Sequence, residues 1–97
     1  MRDKREATAI DHAVRKLEAL GPALGYPHQS AIRGSRLALR ELRPRAGRSR
    51  WRALYVRVDA TSFAILAIAP EAQLDQVGFA RSVRRAEERA TNPDPAS

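Results

Sequence analysis

Three runs, 37–43, 51–58 and 63–69, follow one another along the chain, and the short intervals between them carry turn chemistry. The first interval, PRAGRSR, holds Pro44 and Gly47, and the second, 59–62, is short and polar. Strands this close together can pair only as antiparallel neighbours, so a three-stranded meander is the expected centre of the fold. In 63–69, FAILAIA, apolar side chains point both ways, which predicts a strand covered on both faces.

Helical periodicity brackets this meander. Over 3–20, Ile10, Ala13, Val14, Leu17 and Leu20 recur at helical spacing, Asp3 and Glu6 have capping-box spacing, and Gly21 and Pro22 stop the pattern. Over 79–90, Phe79, Val83, Ala86 and Ala90 share a face, with arginines 81, 84, 85 and 89 around the rest. Between the first helix and the meander, 21–35 holds three glycines and two prolines and reads as a connection with little regular structure, pinned to the core by Leu24, Tyr26 and Ile32. The expected fold class is α+β: a small antiparallel sheet with an N-terminal and a C-terminal helix on one side. All 97 residues form one domain, with 91–97 a frayed tail.

A chain of this length buries roughly 60–65% of its unfolded surface, enough for one thin core. No run of apolar residues is long enough for a membrane span, and residues 1–11 have no apolar leader segment. There is no cysteine, so disulfides and thiolate metal sites are excluded. A cytoplasmic protein is the expectation.

The net charge is +7 with a pI near 11.2, carried by sixteen arginines and only two lysines, Lys4 and Lys16. Abundant alanine and proline attribute part of this to a GC-rich genome. Arginine nevertheless differs from lysine in gripping phosphate with a two-pronged fork. A nucleic acid or a very acidic protein is therefore the leading partner class. Seven of the arginines fall in 40–57, RELRPRAGRSRWRALYVR. Arg43, Arg45, Arg48, Arg50 and Arg52 crowd one turn, where like charges are costly unless a polyanion is met there.

Strand alternation places Arg52 in a row with Leu54, Val56 and Val58, at the rim of the core. A salt bridge to Glu41 is as good an account of it as a functional role, and Tyr55 suits a packed strand aromatic better than a catalytic phenol. His12 reads as a surface residue, and His28 as a loop residue within possible reach of the hairpin. Two histidines without a carboxylate cluster predict no metal site. No phosphate loop, nucleophile elbow or paired-carboxylate motif is present, so no cofactor is expected.

The run LRELRPRAGRSRWRALYVRV, preceded by LGPALGYPHQSAIRG and followed by an apolar strand and a basic helix, resembles the RelE/HigB-like toxins of type II toxin–antitoxin systems. The similarity is greatest to the phage-derived HigB-like branch. It covers about 10–90 and rests on Glu41-Leu42-Arg43, Trp51-Arg52 and Tyr55 at their spacing. The resemblance implies a metal-independent mRNA endoribonuclease that acts on ribosome-bound mRNA, inhibits translation and is held inactive by an antitoxin, often of helix-turn-helix type. In such chemistry a ribose 2′-hydroxyl attacks the adjacent phosphate, which requires a base, an acid and cations at the phosphorane oxygens. By resemblance Arg52 stabilises the phosphate with Arg43, Glu41 is the base with Tyr55 or His28 next, and Arg40, Arg45, Arg48 and Arg50 hold RNA backbone. Where relatives commonly carry lysines after the last strand, this chain has Ala69-Pro70-Glu71-Ala72-Gln73. Relatives also open with a strand that lies beside the last one. Its apparent lack here predicts an open apolar edge along 63–69 that recruits a second copy or antitoxin. The alternatives are a ParE-like gyrase poison and a non-catalytic basic module that binds nucleic acid or antitoxin.

Overall fold

Apolar side chains fall on both faces of the central hairpin, and this decides the architecture. In the computed structural model, which describes residues 4–35 and 37–91, β2 (Leu39–Leu42) pairs with β3 (Trp51–Arg57) in antiparallel register. Leu39↔Val56 and Glu41↔Leu54 face one way, and Arg40↔Tyr55 and Leu42↔Ala53 face the other. Each face needs a cover. α1 (Lys4–Leu20) supplies one, packing Ala13 and Leu17 against Leu24, Leu42, Ala53 and Tyr55. The Tyr55 ring meets Phe63 edge-on, with centroids 5.9 Å apart and planes at 71°. α2 (Gln76–Thr91) supplies the other, setting Phe79, Val83 and Ala86 over Leu39, Leu54, Ala67 and Ala69.

The α+β class is as expected, but the helices lie on opposite faces of the sheet rather than together on one. The alternating apolar rows of β3 leave no other way to cover both Leu54 and Tyr55.

The sheet has four strands, one more than the meander predicted: β1 (Gln29–Ala31) pairs antiparallel with β2, and β4 (Phe63–Pro70) with β3, in the order β1-β2-β3-β4. β1 has no sequence signature, being three residues, QSA, inside a Gly- and Pro-rich connection. The exposed backbone edge of β2 creates it, extended by Arg43 N–H donating to the His28 carbonyl at 2.8 Å and Ile32 N–H to the Leu39 carbonyl at 3.1 Å. Leu24 pins the connection as expected and Ile32 packs on the α2 side, but Tyr26 does not pin it: the residue is 75% exposed. The expected cap at Asp3 and the tail beyond Thr91 lie outside the described residues.

β4 pairs with β3 alone among the described residues, so its other edge is open to a further strand. Leu66 forms a bulge opposite Leu54 and Tyr55, and its carbonyl accepts a hydrogen bond from Arg89 of α2. Ile65 and Ile68 stand on the α1 face of β4 opposite Tyr55 and Ala53, and both are partly uncovered.

The turn from β2 to β3 runs through a single helical turn, Pro44–Gly47, in which Arg45 and Ala46 both adopt φ 55° and Gly47 φ 94°. A side chain in the left-handed region costs roughly 1–2 kcal/mol. Replacing Ala46 with glycine relieves that strain, less the added freedom of the unfolded chain. The expected gain is about 0.5–1 kcal/mol, which calorimetry would register as a melting-temperature rise of roughly 2–8 °C. An unchanged or lower melting temperature would refute the strain.

Candidate functional site

The charged cluster forms where β2 ends, β3 begins and β4 runs out, on the face that α2 covers farther along. Glu41 points to this face because its neighbours Arg40 and Leu42 point to the other. Ser30 lies opposite it on β1 and donates its hydroxyl to Glu41 Oε1 at 3.1 Å. Two residues on, Arg43 returns to the same face and donates Nη1 to Glu41 Oε1 at 2.8 Å. Its guanidinium sits 5.5 Å from the centroid of the Tyr26 ring, a cation–π contact. Arg43 Nε is buried without a hydrogen-bond partner among the described residues, which is uncommon in native proteins. Gly47 makes room for this arginine: a Cβ there would stand 2.9 Å from Nη2.

Arg52, the second residue of β3, lies on the same face and is 3% exposed. Nη1 donates to the carbonyls of Ser49 at 2.5 Å and Trp51 at 2.9 Å, and Nη2 donates to the Gly47 carbonyl at 3.3 Å and to Glu71 Oε2 at 2.7 Å. The expected bridge to Glu41 is replaced by this one to Glu71. Burial, and then the neighbouring Arg43, hold the Arg52 guanidinium below the usual arginine value, while Glu41 and Glu71 pull it back. It remains a cation, and its charge is neutralised locally by Glu71.

Glu41, Arg43 and Arg52 are thus brought together. Tyr55 is not: it is 1% exposed in the core on the α1 face, across the sheet from them. Arg40 also lies on that face, donating Nε to Gln29 Oε1 at 2.6 Å. Arg48 and Arg50 are exposed on the turn. Arg45 reaches back to α1, with Nη1 3.6 Å from Glu6 Oε1 and Nη2 3.4 Å from the Arg5 carbonyl. Ser49, buried in the turn, donates its hydroxyl to the Glu6 carboxylate and so clips the start of α1 to the hairpin. His28 is half-buried and lines a groove on the α1 side.

Sequence reasoning passed over Ser30, Tyr26, Ser49 and Glu71. Glu71 is recoverable once the β3–β4 register is known, since Arg52 pairs with Ala69 and alternation returns residue 71 to the same face. Ser30 required β1, and the exposure of Tyr26 required the path of the connection.

Residues 2–69 match the family described as phage derived protein Gp49-like (DUF891). No curated protein and no solved structure matches the chain. The match takes in α1, all of the Glu41–Arg43–Arg52 cluster and nearly the whole sheet, and by it the chain belongs to the Gp49-like phage-derived family of RelE-like toxins.

Proposed function

We propose that the chain is the toxin of a type II toxin–antitoxin pair, a HigB-like endoribonuclease that cuts mRNA on the ribosome and so inhibits translation. Toxins of this family pair with an antitoxin, here one of helix-turn-helix type. The observation that carries the reading is Arg43, a guanidinium set between the Glu41 carboxylate and an exposed tyrosine ring, with one buried donor unpartnered. In the reaction, Glu41 takes the proton of the ribose 2′-hydroxyl as its oxygen bonds to phosphorus, Arg43, backed by Arg52, faces the phosphorane oxygens, and the bond from phosphorus to the 5′-oxygen breaks as water returns a proton to that leaving oxygen. The Tyr26 ring offers a stacking surface for an unpaired base. Arg48 and Arg50, exposed on the turn, lie along the RNA backbone.

A second reading, a basic module that binds without cutting, is favoured by one observation: the Arg52 donors are already engaged within the chain. Arg43→Ala separates the two. Its side chain is 22% exposed and makes one ion pair, so the fold survives its loss. Under the ribonuclease reading, induction of the variant in a bacterial host loses growth arrest, and the new mRNA 5′ ends fall by about 10²-fold or more. Absence of new 5′ ends with the unaltered chain would favour the binding module, and cleavage undiminished in the variant would remove Arg43 from the reaction.

A further inference from the structure

The two lysines and the two histidines of this chain converge on one place. Of eighteen basic side chains only two are lysines, and there are only two histidines. All four line a single groove of about 490 Å³ on the α1 side of the sheet. Lys4, Thr8, His12 and Lys16 recur every fourth residue and form one rim along α1, a ladder rising about 18 Å. His28, Arg43 and Arg45 form the opposite rim. Between the rims the floor is apolar: Ala9 and Ala13 from α1, Leu24 from the connection and Leu42 from β2. Among the described residues no carboxylate lines the groove.

We propose that this groove is the docking site for an acidic amphipathic segment of a partner protein, the antitoxin that such a toxin pairs with. A chain of about three helical turns matches the length of the ladder. Its apolar side chains rest on the small floor residues, where alanines allow close approach, and its carboxylates meet the lysines and Arg45. Charge complementarity favours this occupant over nucleic acid. Its apolar floor of alanines and leucines suits the nonpolar side of a peptide helix and offers no partner to a hydrated sugar–phosphate backbone. The groove also lies across the sheet from Glu41 and Arg52 and meets their cluster only at Arg43. An occupied groove therefore leaves most of that cluster uncovered. The proposal rests on antitoxin pairing and does not depend on RNA cleavage.

Because Lys4 and Lys16 are the only lysines, amine acetylation followed by mass spectrometry reads the groove directly. The full chain is labelled alone, in complex with its co-expressed antitoxin, and with excess single-stranded RNA. Acetylation of both lysines should slow about tenfold or more in the antitoxin complex, and stay at the free rate with RNA. A paired Lys4→Glu and Lys16→Glu variant, checked for folding by circular dichroism, should weaken antitoxin binding by about 30-fold or more. Lysines labelled at the free rate in the complex would overturn the proposal, as would protection by RNA alone or no antitoxin complex at all. Failure of the chain to cut mRNA would refute the ribonuclease reading while leaving these lysine rates unaffected.

Discussion

Arg52→Ala is expected to lower the free energy of unfolding by about 3–5 kcal/mol, a large share of the roughly 5–15 kcal/mol that holds a domain of this size. The side chain is 3% exposed and ties together the Gly47, Ser49 and Trp51 carbonyls and the Glu71 carboxylate. Truncation leaves a partly buried carboxylate without its counter-charge and three carbonyls without their donor. Arg52→Lys should recover only part of the loss, because one ammonium cannot span partners spread around a planar guanidinium. Denaturant titration of the two variants gives the comparison, and an Arg52→Ala midpoint equal to that of the parent would show the network to be dispensable. The result also bears on how growth-arrest data are interpreted. Loss of toxicity in Arg52→Ala is expected whether the guanidinium touches RNA or only holds the turn, so Arg43→Ala is the informative substitution for chemistry.

The second large effect concerns Tyr55. Its removal as Tyr55→Ala should destabilise the fold by about 3–5 kcal/mol, since the ring is buried beneath α1 against Leu17, Leu24 and Phe63. Tyr55→Phe keeps the ring and its packing, and should stay within about 1 kcal/mol of the parent. With the phenol across the sheet from Glu41, Arg43 and Arg52, RNA cleavage should also persist in Tyr55→Phe. A variant that melts normally yet has lost cleavage would mean that the phenol reaches the reacting phosphate, and the separation of the two faces would then not hold during the reaction.

Much of the architecture was legible in the sequence. Period-two alternation in LREL and WRALYVR, with Pro44 and Gly47 between them, specifies the hairpin by local sterics and turn chemistry. The two helices follow from apolar spacing and from stops at Gly21 and Pro22, and the charge of the turn is visible by inspection. Even the Lys4, Thr8, His12 and Lys16 ladder is written in the spacing of one helix.

What required the tertiary structure was everything that depends on a second segment. β1 exists because the edge of β2 offers unpaired backbone groups, not because QSA favours a strand. The two helices take opposite faces because both apolar rows of β3 must be covered, a demand that neither helix sequence reveals. Arg52 bridges Glu71 rather than Glu41 because the β3–β4 register, set by a bulge at Leu66, carries residue 71 back to its side. The lysine ladder becomes one wall of a groove only because Leu24, His28 and Leu42 arrive opposite it. Local spacing along the chain determined which residues share a face. Long-range pairing decided which faces meet, because register and packing are set between segments and neither is encoded within one of them.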